Sequence, residues 1–440
     1  MKIIILGAGI IGVSTAWHLL ERGHEVTVVE RQPDAAMETS FANAAQISVS
    51  YCEPWANRDA PLKALKWMFS KEAPLLFRPQ LDWQQWRWGA QFLSQCNDTA
   101  FERNVQQLVA LGAYSHAALK DLVRSTGIEY QRLEHGIAHY YTDQKSFDTA
   151  GDAAALMRKY GVSRRVVSRD ELLRIEPAFQ PFAHRIVGGT FTASDESGDA
   201  RVFTQALAQA CIARGAEFLY EHEVVQLNQR DGAIDSVAVR ACSTGARVQN
   251  DQKIVRNLKA DHFVAACGSY TAPLLRTVGV DLPIYPGKGY SATFKILRPE
   301  AAPLVSILDD EKKIAISRLG DQLRVAGTIE IGGYDLTLDS PVARARCQML
   351  SNRIESVFPG VCDTRNEAQG GEPNYWTGLR PATPTNIPYI GQTKVNKLWI
   401  NAGHGTLGWT HGAGSGKALA ELISGQQPEM AFRFHGHVAA

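Results

Sequence analysis

The stretch that most constrains the fold is the first thirty residues, MKIIILGAGIIGVSTAWHLLERGHEVTVVE. Lys2 to Leu6 is a short apolar run of the kind that forms a buried parallel strand. Gly7-Ala8-Gly9-Ile10-Ile11-Gly12 follows at once. Ile10, Val13, Trp17 and Leu20 then recur at helical spacing, and Gly23 closes the helix. Glu25 to Glu30 is a second apolar strand with an acid at its end. Strand, glycine turn, helix, strand and acid together predict a dinucleotide-binding βαβ unit. Gly7 permits the tight turn, Gly9 lets the backbone approach a pyrophosphate, and Gly12 lets the helix pack on the sheet. The helix N-terminus offers unpaired N–H groups and partial positive charge to phosphates. Glu30 can accept hydrogen bonds from ribose hydroxyls. The competing reading is an ordinary βαβ unit, and this unit alone does not separate FAD from NAD(P).

A chain of 440 residues exceeds one ordinary core, so two domains are expected. The net charge of +1, with no long Lys/Arg block, argues against a nucleic-acid partner. The seven cysteines are scattered and form no CxxC pair, which argues for a reducing compartment and against a zinc site or disulfide framework. No apolar run approaches the ~20 residues that span a bilayer. The N-terminus reads as the first strand rather than a signal peptide.

Further on, Glu38 to Ser48 is small and polar, which suits either a backbone beside a ligand or a surface loop capped at Thr39 or Ser40. Residues 52 to 125 read as mostly helical and hold five tryptophans, at 55, 67, 83, 86 and 88. Within them Leu62 to Phe69 is amphipathic and basic on one side, followed by Leu75-Leu76-Phe77-Arg78. Two readings compete here: contact with a membrane surface, or aromatic packing of a helical subdomain. Strands are expected at 128–130 and 136–141, helices at 145–160, 170–175 and 201–214, and a hairpin around Asp231-Gly232. Asp261 to Gly268 reads as a second nucleotide-proximal strand and turn, and residues 283–335 as antiparallel sheet. Strand alternation puts Arg318 on the face of Ile314 and Ile316, opposite Lys313, Ala315 and Ser317. A guanidinium aimed into an apolar interior needs an anion, either a ligand carboxylate or an internal acid. Near the C-terminus, a strand at 398–401 leads into a second glycine-rich loop and helix from Ala402 to Leu422. One NAD site gives no reason for it. A long ligand such as FAD does, with a remote helix N-terminus facing the flavin end.

On these segments the chain resembles the flavoprotein family of D-amino acid oxidase, glycine oxidase and sarcosine oxidase, and within it the bacterial D-amino acid dehydrogenases of small-subunit type. The carriers are ILGAGIIGVSTAWHL, Glu30, ETSFANAAQIS, PLKALKWMF, VAACGSY, PGKGYS, ISRLGDQLRVAGTIE, WTGLRPATPTNIPYIG and LWINAGHGTLGWTHGAGSG. The resemblance implies an α/β fold with a discontinuous Rossmann-like FAD domain at 1–51, 145–275 and 370–425. An α+β substrate domain on a mixed or antiparallel sheet would occupy 52–144 and 276–369, with 426–440 as a tail. It implies non-covalent FAD, since no cysteine stands in the C-terminal flavin loop. FAD would be held by Gly7, Gly9, Ile10, Ile11, Gly12, Glu30 and Arg31, and by Thr39, Ser40, Asn43, Ala44, Ala45, Gln46 and Ile47. Val224, Ala266, Gly268, Gly405, Thr406, Leu407, Gly408, Trp409 and Thr410 would complete its site. Arg380, Arg318 or both would clamp a substrate carboxylate, with Tyr51 and Tyr290 supplying hydroxyls and His404 a candidate base. The implied reaction is oxidative deamination of a D-amino acid to a 2-oxo acid and ammonia. The implied acceptor is a quinone or respiratory carrier, met in the cytoplasm at the inner face of the bacterial inner membrane. An oxygen-using amine oxidase, acting on a glycine-, sarcosine- or proline-like substrate, and a non-catalytic FAD-binding scaffold are the alternatives. Thr385-Asn386 departs from the family's usual sequence in its loop.

Overall fold

The computed structural model describes residues 1–62, 74–242, 255–365 and 374–437. One layer is a six-stranded sheet in the order Tyr389–Gln392, Leu398–Ala402, His262–Ala265, Lys2–Leu6, Glu25–Val29, Glu217–Leu219. The pairings from Leu398–Ala402 onward are parallel. The first strand lies among the central ones with both faces covered, so Ile3 to Leu6 are fully buried and the sequence there is a continuous apolar run.

Helices Ile10–Glu21, Asp98–Thr126, Ala200–Ala213 and Gly408–Ile423 pack into one core with this sheet. The glycines past the C-terminal loop are what let them approach. A Cβ on Gly414 would sit 2.4 Å from Ser115 Cα, and one on Gly416 would sit 2.6 Å from the Ser14 carbonyl carbon. The run GAGSG is therefore a helix-packing surface, and the ligand reading applies only to the residues before it.

The second layer is a nine-stranded mixed sheet. Its order is Asn374–Ala382, Tyr285–Lys295, Gln322–Ile331, Ile314–Leu319, Ser306–Asp309, Ile137–Tyr141, Gly188–Thr192, Arg165–Ser168, with Leu75–Phe77 paired beside Ile329–Ile331. Helix Pro341–Val357 covers the face that carries Ile314, Ile316, Leu323 and Val325. Segments 145–275 and 370–425 each contribute strands to both layers, so the boundaries expected at 145 and 370 do not separate the two sheets.

Three local readings change. Leu75–Phe77 is a strand, because the side of Ile329–Ile331 left free past the end of Ile314–Leu319 takes it up, where the sequence read as helix. Residues 128–130 form no strand. The expected helix at 145–160 is two, Gln144–Asp148 and Ala150–Lys159. Of the amphipathic stretch from Leu62 to Phe69, all but Leu62 lies outside the described residues.

Gly414→Ala tests the helix packing. Overpacking against the Ser115 backbone costs about 1–3 kcal/mol, so the melting temperature should fall by roughly 1–3 °C. A melting temperature equal to that of the parent would refute the packing role.

Candidate active site

Both layers line one cavity of about 1540 Å³. Pockets for drug-sized ligands run to ~300–1,000 Å³, so this one suits a longer molecule with room for a second. At one end Gly7, Gly9, Ile10, Ile11, Glu30, Arg31, Val224, Ala266 and Gly268 form the wall. Gly7 has a φ of +105°, and a Cβ there would lie 2.7 Å from the Ala266 carbonyl oxygen. Gly12 does not reach the cavity, correcting its expected ligand contact. A Cβ on it would stand 1.9 Å from the Gly7 carbonyl oxygen, so its task is to let the helix cross beneath the turn. Helix Ile10–Glu21 begins at Gly9 without a capping bond from that residue, and the Ile10 N–H donates to Ser40 Oγ at 3.2 Å. Glu30 accepts from the Ala8 N–H at 2.7 Å and the Gln32 N–H at 2.9 Å, and burial pushes its carboxyl up. A carboxylate offers about four acceptor positions, so two backbone bonds orient it without exhausting it. Arg31 pairs with Glu38 at 2.5 Å and stacks 4.0 Å above the Tyr270 ring.

The middle of the wall is Thr39, Ser40, Asn43, Ala44, Ala45 and Gln46. Thr39 Oγ1 donates to the Leu379 carbonyl at 2.7 Å, and Gln46 Nε2 donates to Ser306 Oγ at 2.9 Å. Ser317 Oγ donates to the Ala44 carbonyl at 2.8 Å. This loop is thus fastened to the second sheet. Ile47 is fully buried in the helix core and does not line the cavity, because strand alternation turns it away from Gln46.

The far end is bordered by Gly405, Thr406, Leu407, Gly408, Trp409 and Thr410. Helix Gly408–Ile423 starts there at Leu407 without a side-chain cap. Thr410 Oγ1 accepts from the Ser48 N–H at 3.1 Å, and Trp409 Nε1 donates to the Gly198 carbonyl at 3.1 Å. His404 is buried and neither ring nitrogen has a partner. Burial, helped by neighbouring His411, holds it neutral well below the usual histidine range.

Arg380, Tyr290 and Tyr51 also line this cavity. Arg380 Nη1 donates to the Thr328 carbonyl at 2.9 Å. Burial pulls its pKa down to about 10, and among the described residues no acid offsets that. Tyr290 donates to Glu330 Oε2 at 2.9 Å, and Glu330 in turn pairs with Arg78 at 2.6 Å. The Tyr290 proton is therefore engaged within the protein. Tyr51 meets His139 edge-on at 5.0 Å between ring centroids.

Arg318 is not at the cavity. The alternation holds, since Ile314 and Ile316 are buried together, but that face looks into the core under helix Pro341–Val357. At the strand end Arg318 turns outward and donates to the Gly320 and Pro299 carbonyls, both at 3.2 Å. The opposite face, with Lys313 and Ala315, lines the cavity. Sequence reasoning had the right period and the wrong side, and it missed the polar cluster there. Lys313 pairs with Asp310 at 3.2 Å, and Arg164 pairs with Glu53 at 3.1 Å. The neutral His139 stands between them, 3.3 Å from both Asp310 Oδ1 and Arg164 Nη2. Lys313 could have been found from the sequence by asking which residues the other parity set presents.

A cavity served by two helix N-termini whose N-cap residues supply no side-chain cap, with an oriented acid and a guanidinium that no acid among the described residues offsets both in its wall, is built for a dinucleotide and a small anion. The chain belongs to the family of FAD dependent oxidoreductases, whose family model matches residues 2–422. It is 48% identical over 434 residues to a D-amino acid dehydrogenase of Dechloromonas aromatica, covering 99% of both chains. It is 40% identical over 430 residues to the D-amino acid dehydrogenase of Agrobacterium fabrum, covering 98% of this chain and 97% of that one. Among solved structures, glycine oxidase from Geobacillus kaustophilus shares the fold with a TM-score of 0.73 at 18% identity, covering both chains completely. L-proline dehydrogenase from P. horikoshii does so at 0.70 and 17%, covering 98% of this chain and 95% of that one. The residues present fit FAD: Glu30 and the first helix suit its ADP half, and the orphaned polar atoms of His404 lie toward its other end.

The buried histidines make stability depend on pH. Burial lowers His411 to about 3, and burial followed by the charge of Arg164 lowers His139 to about 4. An unfolded histidine titrates near ~6.5. Below that pH the unfolded chain binds protons that the fold excludes, so stability is lost as pH falls from about 6.5 toward those values. The melting temperature should fall between pH 7 and pH 5, and His411→Gln should flatten the slope. An unchanged slope in that variant would contradict the assignment.

Proposed function

We propose that the chain carries out FAD-dependent oxidative deamination of D-amino acids to 2-oxo acids and ammonia, delivering electrons to a quinone or another respiratory carrier. The observation that carries this reading is Arg380, a half-buried cation in the cavity wall with no acid beside it among the described residues. A desolvated guanidinium is costly unless an anion meets it, and a carboxylate does so with two parallel, charge-assisted bonds. The full-length relatives named D-amino acid dehydrogenase support the substrate class. FAD, when bound, supplies the acceptor for the Cα hydride. The protein binds the carboxylate, aligns the Cα, and excludes water from the reacting end. His404, held neutral and far less basic than a free histidine, is unsuited to take an ammonium proton, so the amine reacts in its neutral form. The imine then hydrolyses in water.

The acceptor reading draws on the cavity mouth. Trp86 and Leu93 line the cavity while remaining 50% and 57% exposed, and Trp83 on the same helix is 74% exposed. Exposed tryptophan beside an opening suits the edge of a lipid surface that holds an apolar quinone. No helix among the described residues is long and apolar enough to cross a membrane.

Anaerobic D-alanine should bleach the flavin absorbance while L-alanine leaves it unchanged, and Arg380→Gln should raise the D-alanine concentration needed by more than about tenfold. Bleaching by neither isomer, or by both alike, would defeat the substrate assignment. Hydrogen peroxide formed in step with substrate consumed would defeat the dehydrogenase assignment. Sedimentation with lipid vesicles should drop in the Trp83→Glu/Trp86→Glu double variant, and equal sedimentation would remove the surface contact.

A further inference from the structure

The seat of Arg380 is an irregularity in the sheet. In the ladder between Tyr285–Lys295 and Gln322–Ile331, Gly289 faces Ile329 and Tyr290 faces Gly327. Thr328 is therefore the extra residue of a β-bulge, a device that re-aims groups beside functional sites. Its φ is +56°, in the left-handed region where a β-branched residue is a true outlier. The strand opposite adapts to the same end. A Cβ on Gly289 would stand 2.6 Å from Arg380 Cζ and Nη2, so the guanidinium lies in the space a side chain would take. The bulge turns the Thr328 carbonyl onto Arg380 Nη1 at 2.9 Å. It also leaves Thr328 Oγ1 buried, in the cavity wall, and without a hydrogen-bond partner among the described residues. A buried hydroxyl left unmade costs free energy, and so does the strained backbone that holds it there.

We propose that Thr328 Oγ1 is the second donor of the carboxylate socket: Arg380 supplies the fork, and the Thr328 hydroxyl donates to the substrate carboxylate held by it. Gly289 and the Thr328 carbonyl are positioning groups that fix the guanidinium. This rests on the reading of Arg380 given above and assigns the other half of the same site.

The test uses the FAD-loaded enzyme with Thr328→Ser, Thr328→Val, Thr328→Gly and Arg380→Gln, and reads anaerobic flavin reduction against D-alanine concentration. A hydrogen bond to a charged group corresponds to a loss of between about tenfold and a hundredfold in affinity. Thr328→Val and Thr328→Gly should weaken D-alanine binding by that factor, with the limiting rate of reduction within about threefold of the parent. Thr328→Ser should restore parental binding. Thr328→Gly relieves the left-handed strain, so it should melt at or above the parent temperature while binding as weakly as Thr328→Val. A merely structural residue would not yield a more stable, weaker binder. Parental affinity in Thr328→Val and Thr328→Gly, with Arg380→Gln impaired, would overturn the hydroxyl while leaving the guanidinium in place. Parental affinity in Arg380→Gln as well would overturn both. Loss of bound FAD in Thr328→Val and Thr328→Gly would assign the hydroxyl to the cofactor and also overturn the proposal.

Discussion

The site depends on how closely two helix backbones cross. Helices Ile10–Glu21 and Gly408–Ile423 start from opposite ends of the chain and meet where Gly412 and Gly416 carry no side chain. A Cβ on Gly412 would fall 2.7 Å from Ile10 Cγ1, and one on Gly416 would fall against the Ser14 backbone. That contact fixes the separation of two N-termini, both opening on one cavity. A helix N-terminus attracts negative charge and polar acceptors only within its first turn. Two of them at a set spacing therefore select a ligand of set length. The first βαβ unit is common to many nucleotide sites, and the crossing makes it part of an FAD site.

The cavity is bought with local strain. Ala36, Ala45, Lys313 and Thr328 all have positive φ and all lie in its wall. Each such residue costs of order 1–3 kcal/mol. The surrounding bonds show what holds them. The Ala45 N–H donates to Asn43 Oδ1, the neighbouring Ala44 carbonyl accepts from Ser317, and Thr328 is locked by Arg380. Strain in these places frees backbone carbonyls to accept from side chains of the wall, Ser317 and Arg380, which a regular strand could not do because its groups are spent on the ladder.

The nucleotide half of the site was legible because its signal is local. The tight turn, the helix period and Glu30 lie within thirty residues, and Gly12 answers a steric demand made by the nearby Gly7 carbonyl. The substrate half was only partly legible. Arg380 stands out through resemblance, whereas Thr328 depends on a one-residue mismatch between two strands that no single-strand pattern reveals. Arg318 shows the same limit from the other side. Alternation correctly grouped it with Ile314 and Ile316, but which face of a sheet meets a ligand is decided by what packs on it. Here helix Pro341–Val357 took that face. Leu75–Phe77 likewise became a strand because Ile329–Ile331 had a side left free past the end of Ile314–Leu319, a tertiary effect that overrides local preference.

The distribution of charge around the cavity gives the substrate a direction. On the Tyr51 side the cations are answered one for one: Arg164 by Glu53 and Lys313 by Asp310. Burial pushes the Asp310 carboxyl up, but Lys313, His139 and Arg164 outweigh it and hold it ionised below the usual range. Glu311, the remaining acid there, is occupied by the Thr142 and Asp143 N–H groups and the Thr142 hydroxyl. Two cations thus face three acids, so this wall is net negative and does not attract a carboxylate. Among the described residues no acid faces Arg380, and its charge is uncompensated at the reacting end. In a low-dielectric cavity an uncompensated charge is felt far more strongly than in water. An amino acid is therefore drawn in with its carboxylate toward Arg380. Once that end is held, the Cα and its hydrogen are confined to the space between the sheet and the loop at Gly405 to Thr410. Orientation thus arises from the contrast between one arginine with no acid beside it and a neighbouring cluster whose cations are already matched.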